Sequence, residues 1–186
     1  GGAVEPVDGS ELADDVVTGD HLDQEFRAAA LRELAEETGL ALTIDGVVPA
    51  PDGRGEDLLS SLRAAGIRLD GSALTLVSRW VTPEAAPTRF DARFYVVGAD
   101  DSPEVRIDGD ELVDHMWVAP GDALAMHGEG TLKMFLPTIA HLRWLERRPT
   151  VDDAVATANG ADGRSLVAPR RMEDGSFMPI HLPDDE

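Results

Sequence analysis

The sequence contains no cysteine, which excludes disulfides, thiolate metal sites and cysteine nucleophiles. No stretch approaches the roughly 18 consecutive apolar residues of a membrane-spanning helix, and no basic-then-apolar signal segment opens the chain. We therefore expect a soluble cytoplasmic protein that does not bind membranes. Basic residues are also few, with 16 Lys and Arg against 36 Asp and Glu and a formal net charge of −20. This charge repels nucleic acids, but it leaves open a nucleotide bound through a metal ion.

The 186 residues, of which 42% are apolar, suffice for one sizeable core. Residues 1–22 have no sustained periodicity and predict an acidic loop. Elsewhere the sequence patterns indicate helices at residues 23–38, 56–65, 120–126 and 136–147. They indicate strands at residues 41–48, 74–81, 89–97 and 115–118, with edge strands at 165–167 and 177–182. This mixture predicts the α+β class.

The clearest helical pattern, residues 23–38, ends at Gly39, where a left-handed residue is favoured. Helix geometry makes Leu31, Leu34, Ala35 and Thr38 one buried stripe. Three glutamates share an arc of about 100° on the opposite side: Glu33, Glu36 and Glu37. They form either a solvated acidic face with an Arg32–Glu36 ion pair or a site for hard divalent cations. Their position near the negative end of the helix dipole favours the cation site.

The run Arg32-Glu33-Leu34-Ala35-Glu36-Glu37-Thr38-Gly39-Leu40 resembles the core of the Nudix box, R-E-U-x-E-E-x-G-U, where U is a bulky aliphatic residue. This resemblance implies that Glu33, Glu36 and Glu37 bind the metal ions that bridge a diphosphate. It also implies that Arg32 orients one of these glutamates through a salt bridge.

The first half of the box departs from the ordinary pattern, since Thr18 and Gln24 stand where the family has glycine and glutamate. The opening Gly1-Gly2-Ala3-Val4-Glu5-Pro6-Val7-Asp8 instead resembles the G-G-x-x-x-x-x-D start of a box that carries an insertion. The alternative origin of this glycine pair is an expression scar. The motif following it favours the split box, in which the Gly2 carbonyl is a further metal ligand.

Two downstream segments, Trp80-Val81-Thr82-Pro83 and Arg89-Phe90-Asp91-Ala92-Arg93-Phe94, are similar to those of the peroxisomal coenzyme A diphosphatase branch. The resemblance implies an α/β/α sandwich, in which a mixed sheet lies between helices. Family members have strands before the glycine pair, so we expect a sheet without its first strands. We also expect a Nudix domain over residues 1–150 and a C-terminal extension over residues 151–186.

Further site candidates come from the same resemblance and from the spacing of residues in a predicted strand. Glu111, six residues before Trp117, matches the family's loop glutamate and would be a metal ligand or the general base; alone it would indicate an ordinary acidic turn. Arg89 and Arg93 would share one side of a strand and bind phosphate or adenine, or else pair with surface acids. Phe90 is a third substrate-binding candidate, although both Phe90 and Trp80 are better explained as core residues.

Together these features predict a Mg²⁺- or Mn²⁺-dependent hydrolase that cuts a diphosphate linkage, with Glu33 or Glu111 as base and Arg32 in the catalytic group. The branch resemblance implies coenzyme A or an acyl derivative as substrate. The alternatives are a broader pyrophosphatase acting on ADP-ribose or NADH, and a Nudix-fold nucleotide-binding protein without turnover. The expected partner is a small nucleotide, and a homodimer is left open.

Overall fold

The computed structural model describes residues 2–19, 22–82, 89–99, 104–107, 109, 112–160, 166–169 and 182. The chain divides into two compact units. The first unit contains residues 1–74 and 99–117, and the second contains residues 75–98 and 118–186. The predicted domain limit at residue 150 stays a prediction.

The first unit combines three α-helices with a four-stranded sheet. Its helices are α1 (Glu11–Val16), α2 (Gln24–Thr38) and α3 (Gly55–Ala65), and 3₁₀ turns span Pro6–Gly9 and Gly71–Ala73. Its strands are β1 (Val17–Thr18), β2 (Leu40–Thr43), β3 (Gly46–Pro49) and β4 (Leu69–Asp70). The strand order is β1-β4-β2-β3, with β1 parallel to β4 and the other pairs antiparallel, so the sheet is mixed as predicted.

Two helix predictions in this unit are confirmed almost to the residue. Gly39 and Gly66 end α2 and α3 with φ angles of 67° and 69°, in the left-handed region that glycine enters at little cost. The three leucines predicted to face inward from α3 are fully buried: Leu58, Leu59 and Leu62. These helices follow from local periodicity and local glycine signals, which explains why the sequence predicts them well.

Two predictions in the first unit are wrong. The single strand predicted at 41–48 is instead the β2–β3 hairpin, because Ile44 and Asp45 form a turn between Thr43 and Gly46, which pair with each other. Gly46, the first residue of β3, has a φ of 111°, in the region that favours glycine. The predicted acidic loop at 1–22 contains a 3₁₀ turn, α1 and β1. Ser10 caps α1 by accepting a hydrogen bond from the Ala13 amide at 3.4 Å. This segment buries few side chains, so its apolar pattern is too short to recognise.

The second unit contains β5 (Thr75–Val81), β6 (Asp91–Val96) and β7 (Leu166–Val167), together with α4 (Pro120–Gly128), α5 (Leu136–Glu146) and α6 (Val151–Gly160). β5 is central, antiparallel to β6 and parallel to β7. Helix α6 was not predicted, because its buried face consists of small residues. Ala154 and Ala158 pack in one cluster with Trp80 and Trp144. Trp80 is therefore a core residue, as predicted.

Two strand predictions in the second half of the chain have different outcomes. The strand predicted at 115–118 is wrong, since residues 112–119 form no regular element and Trp117 is 62% exposed. Of the edge strand predicted at 177–182, only Leu182 is among the described residues. None of the helices within the described ranges combines the length and apolarity that crossing a bilayer requires.

Candidate active site

Helix α2 presents the predicted carboxylates, and both of its ends are anchored within the first unit. At its start, Arg27 donates to Asp23 at 2.8 Å and to the backbone carbonyls of Gly71 and Leu74 at 2.8 and 2.5 Å. At its end, the Gly39 carbonyl accepts a hydrogen bond from the Ala50 amide at 2.8 Å. These contacts fix the position of α2 relative to the 3₁₀ turn at Gly71–Ala73.

Arg32 is the centre of the site. It is fully buried, and each of the five N–H donors of its guanidinium has an acceptor. Nε and Nη2 donate to the two carboxylate oxygens of Asp8 at 2.8 and 3.0 Å. Nη1 donates to Glu33 at 2.8 Å and to Glu36 at 3.0 Å, and Nη2 also donates to the Ala3 carbonyl at 3.1 Å. One guanidinium therefore orients two of the predicted glutamates.

The first residues of the chain lie against this face of α2. Asp8 is 2% exposed, and its second oxygen also accepts from the Glu5 amide at 2.7 Å. Gly2 approaches so closely that a Cβ there would collide with the carboxylate of Glu33. Only glycine permits such an approach of backbone to carboxylate. The glycine and the aspartate of the split opening thus both lie at the predicted glutamates.

The carboxylate face of α2 is not a solvated surface. The side chain of Glu33 is 10% exposed and that of Glu36 is 6% exposed. Besides its bond to Arg32, Glu36 accepts a hydrogen bond from the Gly55 amide at 2.7 Å, at the start of α3. Glu37 is partly buried on the same helix. Within the described ranges, no three acidic or histidine side chains are close enough together to form a metal-binding group.

The buried cluster carries an excess of negative charge. Arg32 contributes one positive charge, and Asp8, Glu33 and Glu36 contribute three negative ones, so these four side chains carry a net charge of −2. Burial alone would lower the pKa of Arg32, but its hydrogen bonds to Asp8 and Glu36 raise that pKa above its ordinary value. A net charge of −2 in a buried place is costly unless a cation offsets it.

Comparison with known proteins identifies the fold. A solved structure of a NUDIX hydrolase from Alicyclobacillus acidocaldarius matches with a TM-score of 0.69 and 32% sequence identity, over 84% of this chain and 78% of that one. The chain belongs to the Nudix hydrolase family. A Caenorhabditis elegans protein named nudix hydrolase 7 is 31% identical over 117 residues, which cover 55% of this chain and 38% of that relative's length. No family model matches the chain.

A pocket of about 400 Å³ lies beside the Nudix helix α2, within the first unit. Its lining combines the end of α2, the loop before α3 and a short segment near residue 106: Ala35, Glu36, Gly39, Pro51, Asp52, Gly53, Arg54, Arg106 and Ile107. The volume falls within the range of roughly 300–1,000 Å³ that is typical of small-molecule sites. Glu36 thus belongs to both the buried Nudix cluster and the wall of this pocket.

The other predicted site residues lie elsewhere in the described structure or outside it. Glu111 lies outside the described residues. Arg89, Phe90 and Arg93 belong to the second unit. Strand β6 begins at Asp91, so the prediction that Arg89 and Arg93 share one strand is wrong. The expectation that Phe90 is a core residue is also wrong, because Phe90 is 65% exposed. Their roles in binding substrate stay predictions.

Arg93 lies 3.8 Å from Asp91, the residue that Arg79 also pairs with. The hydrogen bond to Arg79 lowers the pKa of Asp91 below its ordinary value. For Arg93, the alternative of pairing with a surface acid therefore has a partner, Asp91, in the second unit.

Sequence reasoning missed the roles of Asp8 and Arg106. In the sequence Asp8 shows only as part of the opening motif, because its partner Arg32 is 24 residues away. Arg106 gave no signal, since its contacts reach back to Thr38 and Ala50. A pattern search cannot detect contacts between such distant positions.

A second buried polar group lies in the second unit. His141 Nδ1 lies 2.6 Å from the Pro137 carbonyl, so Nδ1 carries the proton and Nε2 accepts from the Ser78 hydroxyl at 2.8 Å. The Trp80 indole donates to the same hydroxyl at 2.9 Å, and His141 stacks on Phe94 with ring centres 4.3 Å apart. Burial lowers the pKa of His141, and the bond to Pro137 only partly opposes this. This group stabilises the core.

Proposed function

We propose that the chain hydrolyses the diphosphate linkage of a nucleoside-diphosphate derivative with the help of a divalent cation. The observation that carries the proposal is the buried cluster around Arg32, whose net charge of −2 equals the charge that one divalent cation neutralises. Nudix hydrolases generally use such ions. Membership in the family and the Nudix box on α2 support the same conclusion.

The donor atoms at Arg32 are of the type that a hard cation prefers. Glu33 and Glu36 offer carboxylate oxygens, and Gly2 brings backbone close to Glu33. Oxygen donors of this kind are those that Mg²⁺ prefers, with water and substrate phosphate completing the shell. Glu37, on the same helix, is the proposed third carboxylate. When bound, the cation would lower the pKa of water and neutralise charge on the phosphate groups.

The protein's own part in the reaction follows from the positions of its side chains. Arg32 holds Glu33 and Glu36 in fixed rotamers, so the carboxylates need not reorganise when substrate binds. Glu33 accepts a proton from the attacking water, or Glu111 does, which is proposed on the family resemblance alone. The water oxygen bonds to one phosphorus, and the bridging P–O bond breaks with its electron pair leaving on the second phosphate. The products are two phosphate monoesters.

Coenzyme A or an acyl derivative is the proposed substrate, because the segments from Trp80 to Pro83 and from Arg89 to Phe94 resemble the coenzyme A diphosphatase branch. We propose a cytoplasmic protein whose partner is this small molecule and neither nucleic acid nor membrane, in keeping with its net charge of −20. ADP-ribose and NADH are the alternative substrates.

Incubation with coenzyme A, ADP-ribose or NADH, each with Mg²⁺ or Mn²⁺, tests the proposal. Products are separated by mass, and H₂¹⁸O identifies the phosphorus that is attacked. We expect Glu37→Gln to abolish activity and weaken metal binding while keeping the fold. Glu25→Gln is the matched control, because Glu25 is exposed on the first turn of the same helix.

Absence of turnover for all three substrates with both metals would contradict the hydrolase and favour a nucleotide-binding protein. Equal activity of the Glu37 and Glu25 variants would contradict the assigned role of Glu37. Comparable slow turnover of all three substrates would remove the coenzyme A assignment and leave the broader pyrophosphatase.

A further inference from the structure

The pocket beside Glu36 contains a cationic side chain that the hydrolysis scheme does not use. Arg106 lies across the end of α2, where its backbone amide donates to the Thr38 carbonyl at 2.8 Å and its Nη2 donates to the Ala50 carbonyl at 2.8 Å. A Cβ on Gly39 would lie 3.2 Å from both Cβ and Nε of Arg106. Contacts with two segments, the end of α2 and Ala50, therefore position the backbone and the guanidinium of Arg106.

Although its backbone and Nη2 are anchored, the Arg106 side chain is 52% exposed. Its ion-pair partner within the described ranges is Asp52, at 3.8 Å from Nη1, and the Asp52 side chain is fully exposed. An exposed pair at this distance contributes little. The guanidinium thus keeps donors that can face the pocket, in a fixed orientation that suits a planar or tetrahedral anion.

Arginines are scarce in this acidic chain, but two of them line the pocket. Only 16 basic residues accompany 36 acidic ones, yet Arg54 and Arg106 both line this one pocket. The Glu36 carboxylate in its wall is already bonded to Arg32 and to the Gly55 amide. Asp52 is the other acid of the lining, so the two arginines offset its two acids, and a phosphate meets less repulsion here than an average surface of so acidic a molecule would give.

Arg106 and Arg32 serve different positions along α2. Arg32 contacts the cluster at Glu33 and Glu36, whereas Arg106 lies on Gly39, three residues beyond Glu36. Three residues correspond to about 4.5 Å along a helix. This offset along the helix is the geometric basis for assigning Arg106 to a second anionic group, beyond the one held at the carboxylates.

We infer that this pocket binds a phosphate group of the substrate other than the hydrolysed linkage, and that Arg106 is the residue that contacts it. The inference rests on the proposed function for its substrate class. Arg106 then gives the enzyme a preference for substrates with an additional phosphate monoester.

Two pairs of compounds that differ only in such a monoester provide the first test: coenzyme A with 3′-dephospho-coenzyme A, and NADPH with NADH. We expect the wild type to show a lower KM for the phosphorylated member of at least one pair. Arg106→Ala should raise that KM roughly tenfold with little change in kcat, as for loss of one charge-assisted hydrogen bond. Arg106→Lys should keep part of the preference.

Arg63→Ala is the matched control, because Arg63 is an exposed arginine of α3 that does not line the pocket. Removing it changes the net charge equally and should leave the preference intact. Asp52→Asn should strengthen phosphate binding, since it removes an anion that competes for Arg106. A purely structural role for Arg106, capping α2, would lower stability without altering the ratio of KM values within a pair.

Binding of inorganic phosphate to the wild-type protein in EDTA gives a readout independent of turnover. We expect the Nε–Hε NMR signal of Arg106 to shift on titration and that of Arg63 to remain unchanged. An unchanged Arg106 signal, or equal KM ratios for Arg106→Ala and wild type, would overturn the inference. Absence of turnover by the wild type would overturn the proposed function alone, because the phosphate titration would still report on Arg106.

Discussion

Replacement of Arg32 by methionine is the sharpest test of the buried cluster, because methionine keeps much of the volume and removes the charge. The change deletes five hydrogen bonds, two to Asp8 and one each to Ala3, Glu33 and Glu36. It also changes the net charge of the cluster from −2 to −3. Removing one partner of a buried ion pair costs about 3–5 kcal/mol, since the remaining charge stays buried without compensation.

Solvent screening offsets little of this loss in stability, because the side chains of Arg32 and Asp8 are 1% and 0% exposed. At about 2–4 °C per kcal/mol for a chain of this length, we expect the melting temperature of the first unit to fall by roughly 6–20 °C. The free energy of unfolding is measured by urea titration in EDTA, followed by circular dichroism. Hydrogen exchange of α2 amides identifies the unit that opens.

Arg63→Met is the control, because the Arg63–Asp15 pair is exposed with a separation of 3.4 Å and should contribute less than about 1 kcal/mol. If Arg32→Met does not fold, Arg32→Lys keeps the charge with fewer donors and should lose an intermediate amount. Mg²⁺ should stabilise the methionine variant more than the wild type, since it would offset the added negative charge. A loss below about 1 kcal/mol for Arg32→Met would refute the reasoning.

Two further changes test other parts of the molecule. Gly2→Ala should lower metal affinity and activity without unfolding the protein, because its Cβ would displace Glu33, whereas Gly9→Ala, with its nearest contact at 3.9 Å, should change neither in a metal titration. The pKa of His141 lies below its ordinary value of 6.5, so the unfolded chain takes up a proton that the folded chain does not as the pH falls below about 6.5. Stability should fall there by up to about 1.4 kcal/mol per pH unit, and the slope should flatten in His141→Gln. An equal slope in both proteins, from urea titrations at several pH values, would contradict this.

The sequence predicted those parts of the fold that depend on neighbours in the chain. Helix α2 and its end at Gly39 follow from a period of 3.6 residues and from a glycine that adopts positive φ. The inward leucines of α3 follow from the same periodicity. Local rules failed where an element was short or its buried residues were small, as in α1 and α6. Such segments carry too little hydrophobic contrast to show a period.

The Nudix box could be recognised in the sequence because its glutamates and Arg32 are close in the chain and lie within one helix. The helical periodicity places those glutamates opposite the core, and by itself this position indicates that their side chains are exposed to solvent. In the folded protein residues 2–8 cover that face of the helix, and Glu33 is only 8% exposed. Burial of a charged group therefore depended on a distant segment and not on the helix itself.

By itself, then, the sequence determined the type of chemistry: carboxylates spaced on one helix, with an arginine among them and a glycine at the end. Only the tertiary structure decided which partners complete the site. It brought Asp8 to Arg32 across 24 positions, and Arg106 to the Ala50 carbonyl across 56. Helical periodicity acts over a few residues, whereas these contacts form when separate segments pack together. Their energies and geometries exist only in the folded chain.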